Sequence, residues 1–134
     1  MIIKIKLLTA ALLLTAAAGG CRDSGHISVR DFRLNTIDDE RFYLNEHRGE
    51  VVVLIFWTSW CRACTVQLNE MDEILKDIPS GAAVTAAAVC GDPENIDRVS
   101  AKISDLPETV TVLLDKDAEV TRNFGVRAYP TTVI

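Results

Sequence analysis

The chain has 134 residues, of which 49% are apolar and 25% are charged, and its formal net charge is −5. Domains commonly contain about 100–150 residues, so this length and composition exclude a two-domain organisation and wholesale disorder. The net charge is negative, so the chain lacks the excess of positive charge that binds nucleic-acid phosphates. The few aromatic residues are also not interleaved with Lys or Arg. Both features exclude nucleic acid as a partner.

Residues 1–20 have the organisation of an export signal. Lys4 and Lys6 precede a twelve-residue apolar stretch from Leu7 to Ala18, and small residues follow. A helix of that length spans only about 18 Å of a hydrocarbon core of about 30 Å, so export is favoured over a transmembrane helix or a buried core helix. Removal of this leader takes away two lysines and no acid, which changes the net charge from −5 to −7.

A cysteine directly follows the signal segment. Ala18-Gly19-Gly20-Cys21 resembles the lipobox of bacterial lipoproteins. The resemblance implies that Cys21 becomes a lipidated N-terminus and anchors the protein to a bacterial membrane outside the cytoplasm. Ordinary cleavage nearby, without a lipid, is the alternative. Residues 21–30 are then expected to form a short polar tether before a domain at 31–134.

A β-hairpin and a buried strand are predicted at the start of this domain. Phe32-Arg33-Leu34 and Arg41-Phe42-Tyr43-Leu44 flank Asp38-Asp39 as hairpin strands, and Gly49 marks a turn. Val51 to Trp57 is an apolar run without alternation, which is typical of a strand covered on both faces. We expect this strand to be central in a sheet.

Helices and strands alternate along the rest of the chain. From Cys64 to Ile78, apolar residues recur at intervals of four and three, which predicts an amphipathic helix. Ala82 to Cys90 predicts a second buried strand, and Asp92-Pro93 predicts the N-cap and first position of a second helix. The remaining predicted elements are a strand at 110–114, a short helix at 117–124 closed by a glycine, and a strand from 130 to the last residue. This order indicates an α/β fold class with βαβ units and a mostly parallel sheet.

Cys61 and Cys64 form a CxxC pair between the first buried strand and the first helix. A zinc site needs four ligands, and the other candidates, Cys90, His26 and His47, do not form a second closely spaced pair. A copper site would need a histidine beside the thiolates. A purely structural disulfide would close too short a loop to constrain the unfolded chain much. These alternatives are weaker than a redox-active dithiol.

The redox interpretation rests on the position of the pair. Cys61 is expected at the N-terminus of the helix, where unpaired N–H groups and the helix dipole favour its thiolate. Arg62 adds a neighbouring positive charge. Cys64, one helical turn further on, is placed to resolve a mixed disulfide.

The segment Phe56-Trp57-Thr58-Ser59-Trp60-Cys61-Arg62-Ala63-Cys64 resembles the active-site segment of the thioredoxin superfamily. The resemblance is closest to the membrane-tethered extracytoplasmic reductases related to TlpA and ResA. Leu114-Asp115, Asp117-Ala118 and the stretch from Phe124 to Thr131 agree with the same family, so that the match runs from about residue 28 to the end. It implies a thioredoxin-like three-layer fold with an N-terminal β-hairpin and a central mixed sheet flanked by helices. Because family members continue further, we expect this sequence to be a fragment that lacks the last strand and helix.

The resemblance also implies roles for individual residues. Cys61 is the attacking thiol and Cys64 the resolving thiol. Pro130 corresponds to the family's cis-proline, which presents the neighbouring backbone at Tyr129 to the substrate. Trp60, which shields the sulfurs, and Arg62 complete the implied substrate-binding set.

Two residues depart from the family's pattern. Ile55 stands where thioredoxins commonly have a buried acid, and Gln67 stands where ResA relatives have a glutamate. The proton acceptor for Cys64 is therefore water or another group such as Glu70, and slow resolution of the mixed disulfide is expected. Cys90 is expected to be a buried small residue rather than a regulatory thiol, and it receives no role.

The implied function is reduction of disulfides in exported cysteine-containing proteins, without an organic cofactor or a metal. A membrane electron donor would recharge the pair, and apocytochromes c are candidate substrates. Two alternatives remain. One is a peroxiredoxin-like peroxidase, although the sequence contains no Pro-x-x-x-Thr-x-x-Cys stretch. The other is a non-catalytic, surface-anchored binding module.

Overall fold

The structure is a computed structural model that describes residues 30–91 and 96–134. The predicted signal segment, the lipidation site at Cys21, most of the tether and the helix start at Asp92-Pro93 lie outside the described residues. Within the described part, none of the helices has the length and apolar character needed to cross a membrane.

The described residues contain six strands, which form one sheet in the order β2-β1-β5-β4-β3-β6. The strands are β1 Arg33–Thr36, β2 Arg41–Tyr43, β3 Val51–Trp57, β4 Val84–Cys90, β5 Thr111–Leu114 and β6 Thr131–Val133. The helices are α1 Arg62–Asp77, α2 Ile96–Ile103 and α3 Glu119–Asn123, and a 3₁₀ turn occupies Leu44–His47. The predicted alternation of strands and helices is confirmed.

The sheet is mixed, and the expectation of a mostly parallel sheet is wrong. The central strands β3, β4 and β5 are parallel, but β1 pairs antiparallel with β2 and β5, and β6 pairs antiparallel with β3. The first hairpin must be antiparallel because a short turn joins β1 to β2. The last pairing is antiparallel because α3 has only five residues and does not carry the chain back along the sheet before β6.

The apolar run of β3 is covered on both faces, as predicted. Its last five residues, Val53 to Trp57, are all buried. The strand lies between β4 and β6, so it is interior but one position from the edge rather than at the centre of the sheet.

Two hydrophobic clusters lie on opposite faces of the sheet. Ile55 and Trp57 of β3 pack with Leu68 of α1 and Val99 of α2 on one face. Alternate residues of β3 turn to the other face, where they pack against the hairpin and α3; this cluster includes Phe42, Leu54, Phe56, Val89, Leu113 and Val120. Burying each large side chain contributes about 1.5–3 kcal/mol, so β3 is held from both sides and its carboxyl end is fixed.

Polar contacts attach the distal part of α1 to the loop before β5. Lys76 Nζ lies 2.7 Å from Asp72 Oδ2, and the hydroxyl of Thr109 donates to Asp72 Oδ1 at 2.6 Å. The hydrogen bond from Lys76, followed by that from Thr109, lowers the pKa of Asp72, and the same ion pair raises the pKa of Lys76. Of these contacts, the Thr109 hydrogen bond joins α1 to the loop before β5, whereas the ion pair between Lys76 and Asp72 lies within the helix.

Candidate active site

The CxxC pair lies where β3 ends and α1 begins. After Trp57 the chain turns, and the N–H of Cys61 donates to the carbonyl oxygen of Thr58 at 3.1 Å. Cys61 has extended backbone dihedrals and is the N-cap of α1, which starts at Arg62. The predicted placement of Cys61 at a helix N-terminus is therefore confirmed.

Cys61 and Cys64 form a disulfide, with their Cα atoms 5.3 Å apart. The backbone N–H of Cys64, in the first turn of the helix, is shared between Cys61 Sγ and the Cys61 carbonyl oxygen, each at 3.2 Å. Such a donor and the helix dipole favour the thiolate of the N-cap residue once the disulfide is reduced. The solvent-exposed fraction of Cys61 is 8%, whereas Cys64 is completely buried. This asymmetry makes Cys61 the sulfur that an incoming group can reach.

The peptide bond between Tyr129 and Pro130 is cis, as the resemblance implied. The register of β6 on β3 pairs Thr131 with Phe56, which brings this bond to the end of β3 beside the CxxC turn. The Tyr129 ring makes an edge-on contact with Trp60, at a centroid distance of 6.3 Å. The fold thus brings the aromatic residues and the proline of the predicted set together.

Trp60 and Arg62 are more open to solvent than the cysteines. Trp60 is 67% exposed, and Arg62 is also exposed at the first position of α1. Both line a groove that contains Cys61. By contrast, Trp57 is completely buried beneath the site, as expected for a core residue.

Gly91 is a part of the site that sequence reasoning missed. Its N–H donates to the carbonyl oxygen of Trp57 at 3.0 Å, which continues the pairing of β4 with β3. A Cβ atom at this position would overlap the hydroxyl of Tyr129 and would lie 3.2 Å from Thr121 Oγ1. The available signal was a glycine placed directly after a buried strand, which often marks a close approach of another group.

Replacing Gly91 by alanine is expected to displace the Tyr129 ring and to lower kcat/KM about 10-fold for the disulfide reduction that the resemblance implies, because small misplacements at a reacting site are costly. Insulin reduction measures the effect. The double variant Gly91→Ala/Tyr129→Phe, compared with Tyr129→Phe alone, should recover part of the loss because the overlapping oxygen is removed. Full activity of Gly91→Ala would show that the position of the Tyr129 ring against Gly91 is not needed for activity.

The two departures from the family's pattern are visible in the structure. Ile55 is completely buried, and Gln67 Nε2 donates to Thr132 Oγ1 at 2.6 Å. Glu70 is exposed on α1. Asp115 is the one buried carboxylate among the described residues, and its oxygens accept hydrogen bonds from α3. The described residues therefore offer Cys64 no buried carboxylate that is free to take its proton.

The remaining metal-ligand candidates of the described region lie apart from the CxxC pair or are enclosed in the core. Cys90 is 2% exposed at the end of β4, outside the disulfide, which agrees with the expected buried residue. His47 stacks on Phe42 and contacts Glu50 Oε2 at 2.8 Å, at the opposite end of β3. This contact lowers the pKa of Glu50. Between residues 30 and 91 and from 96 onward, no group of three or more His, Cys, Asp or Glu side chains is arranged to hold a metal ion.

The sequence profile of the AhpC/TSA family matches residues 27–134. The chain belongs to this family. Among curated relatives of this AhpC/TSA chain, thioredoxin-like protein YneN of Bacillus subtilis is 30% identical over 104 residues, which cover 78% of this chain and 61% of the relative. Thiol-disulfide oxidoreductase ResA of Geobacillus thermodenitrificans is 26% identical over 105 residues, 78% of this chain and 59% of the relative. The chain therefore spans about three fifths of the length of these relatives.

A solved structure supports the same family assignment. The exposed lipoprotein thioredoxin Etrx1 of Streptococcus pneumoniae is 30% identical, with a TM-score of 0.61 over 77% of this chain and 78% of that chain. These similarities confirm the thioredoxin-like fold and the resemblance to the TlpA and ResA branch of the thioredoxin superfamily.

Proposed function

We propose that this protein is a thiol:disulfide oxidoreductase that reduces disulfides in exported proteins through Cys61 and Cys64. The observation that carries the proposal is the disulfide at the N-terminus of α1, in which the accessible sulfur of Cys61 accepts the N–H of Cys64. A similar protein, ResA, is a thiol-disulfide oxidoreductase, which supports the same reaction type here.

The reaction consists of two thiolate displacements. In the reduced protein, the Cys61 thiolate attacks one sulfur of the substrate disulfide, forms a mixed disulfide and releases a substrate thiolate, which takes up a proton. Cys64 then loses its proton, and its thiolate attacks Cys61 Sγ and releases the second substrate sulfur. Two electrons pass from the protein to the substrate, which ends as a dithiol, while the Cys61–Cys64 disulfide forms.

The groups around the disulfide would guide the substrate to Cys61. Pro130, with its cis bond, would present the backbone next to Tyr129 to the substrate chain, and Trp60 offers an exposed apolar ring beside it. Arg62, next to the reactive sulfur, would stabilise negative charge on it. These four residues form the substrate-binding surface of the proposal.

An extracytoplasmic location and a lipid anchor at Cys21 belong to the same proposal. The support is the lipobox-like sequence and the similarity to a lipoprotein thioredoxin. A membrane electron donor would return the pair to the dithiol, and apocytochromes c are candidate substrates. Replacement of Cys21 by serine should abolish incorporation of labelled fatty acid into the protein in expressing cells. Equal labelling of this variant and the wild type would contradict lipid attachment at this residue.

Insulin reduction tests the activity. With dithiothreitol as electron source, the wild-type protein should accelerate the precipitation of reduced insulin chains. Wild-type protein that does not accelerate it would favour the non-catalytic binding module. The same preparation is given hydrogen peroxide, because a peroxiredoxin-like enzyme would consume peroxide in preference to insulin.

Replacing Gln67 by glutamate is expected to accelerate resolution of the mixed disulfide about tenfold, because it adds a carboxylate one helical turn after Cys64. Stopped-flow measurement of the second displacement, with tryptophan fluorescence as signal, reports this step. Gln67→Met is the matched control, since it removes the hydrogen bond to Thr132 without adding a proton acceptor. Equal rates in the wild type and Gln67→Glu would mean that proton removal from Cys64 does not limit the reaction.

A further inference from the structure

A groove beside the disulfide carries a charge opposite to that of the whole protein. It encloses about 350 Å³ between α1 and α2, and its lining includes Cys61, Trp60, Arg62 and Lys102. A second depression of about 250 Å³ shares Trp60 and Lys102 with it and adds Arg98. Among the described residues that line the two depressions, none is acidic. The combined surface is called the basic groove below.

We infer that the basic groove binds an acidic polypeptide segment that flanks the disulfide to be reduced. The inference rests on the proposed function and assigns it a substrate class: exported proteins with Asp or Glu residues near the reacting cysteine. It also names Arg98 and Lys102, which lie far from the CxxC pair in sequence, as specificity-determining residues.

Charge complementarity is the first argument for this occupant. The chain has a formal net charge of −5, which in general disfavours an acidic partner. The described lining of the basic groove instead carries Arg62, Arg98 and Lys102 without an acid, and it includes Cys61. A local positive field of this kind steers an acidic segment toward the reactive atom and holds it in one orientation.

The guanidinium groups contribute most of this field. Arg62 and Arg98 are both exposed. The ammonium group of Lys102 lies 2.9 Å from Asp105 Oδ2, so part of its charge is already balanced. Arginine also recognises carboxylates with two parallel hydrogen bonds, which suits Asp and Glu side chains.

The shape of the basic groove favours a polypeptide over a small anionic disulfide. The two depressions adjoin and share Ser59, Trp60 and Lys102 in their linings. Arg98 and Lys102 are one helical turn apart on α2, a rise of about 6 Å. Trp60 and Val66 are 67% and 55% exposed at its margin, which provides an apolar anchor for a neighbouring side chain. Several consecutive residues of an extended chain are needed to reach all of these groups.

The test uses single-turnover reduction of two matched peptides by the pre-reduced protein in excess. Each peptide contains one intramolecular disulfide and the same apolar residue, and the flanking positions are Asp and Glu in one peptide and Lys in the other. The second-order rate constant for the acidic peptide should exceed that for the basic peptide about tenfold at low salt. This preference should largely disappear in 0.5 M NaCl, because salt screens exposed charges.

Charge-reversal variants test whether the residues of the basic groove cause the preference for the acidic peptide. Arg98→Glu should remove most of it, because the variant should reduce the acidic peptide more slowly and the basic peptide faster than the wild type does. Arg48→Glu is the matched control: it makes the same change in net charge at an exposed position at the opposite end of β3, and it should keep the preference. Equal rates for the two peptides in the wild type, or equal losses in both variants, would overturn the inference.

Two further outcomes separate this inference from related ones. If glutathione disulfide, a small anionic disulfide, reacts as fast as the acidic peptide and depends equally on Arg98, the occupant is not a polypeptide and the inference fails. If the wild type reduces insulin and both peptides at the uncatalysed rate, the proposed function itself is wrong. If the protein reduces both peptides at equal rates above the uncatalysed rate, the proposed function holds. Only the inference that the basic groove binds acidic segments is then rejected.

Discussion

Replacing Cys61 by serine is expected to reduce insulin turnover by about 10³-fold or more, to the uncatalysed background, because the sulfur proposed to attack the substrate is lost. Replacing Cys64 by serine is expected to have a different result. Cys61 can still attack, but the mixed disulfide cannot be resolved, so the protein accumulates covalently bound to its substrate. Non-reducing electrophoresis separates the two cases: a higher-mass adduct forms with Cys64→Ser and is absent with Cys61→Ser.

Cys90 provides the matched control for this pair of variants. It is buried at the end of β4, outside the disulfide, so Cys90→Ala should retain turnover and form no adduct. Adducts formed by Cys61→Ser with a substrate would assign the attack to another sulfur. Normal insulin turnover by Cys64→Ser would show that a second thiol in this position is not needed.

Replacing Asp115 by alanine is expected to lower the free energy of unfolding by about 3 kcal/mol, the largest stability effect outside the apolar core. Its buried carboxylate accepts hydrogen bonds from the N–H groups of Val120 and Thr121, at 3.2 and 2.8 Å, and from the Thr121 hydroxyl, at 2.7 Å. Alanine leaves these donors without a partner, and each buried unsatisfied group costs about 1–3 kcal/mol. Urea unfolding followed by circular dichroism measures the loss.

Asp117→Ala is the control for this stability prediction. Asp117 is exposed in the same turn, so the substitution should change the free energy of unfolding by less than about 0.5 kcal/mol. The comparison removes the general effect of deleting one negative charge beside α3. A loss of similar size in both variants would mean that charge near α3, rather than the buried hydrogen bonds, is responsible.

The features that could be predicted from the sequence are those fixed by local chemistry. The uninterrupted apolar run from Val51 to Trp57 indicated a strand buried on both faces, and it is one. The helical periodicity that begins at Cys64 predicted Cys61 near the N-terminus of the helix, and Cys61 is its N-cap. The cis bond before Pro130 followed from the family resemblance and not from the residues, since few X–Pro bonds are cis in folded proteins.

The features that could not be predicted depend on where separate elements meet. Gly91 directly follows β4, and Tyr129 lies shortly before β6. The two residues come into contact only through the register of the sheet. The basic groove likewise combines Arg62 of α1 with Arg98 of α2, whose side chains become neighbours only after both helices pack on one face. The alternation of strands and helices does not fix strand direction, and the antiparallel pairing of β6 with β3 agrees with the mixed sheet that the family resemblance implied.

Cys64 is completely buried, whereas Cys61 keeps an exposed fraction of 8%. Under the proposed function, an electron-donating protein and a substrate protein would therefore both have to react at Cys61. Only one of them could react there at a time, so an abundant donor would compete with the substrate and slow its reduction.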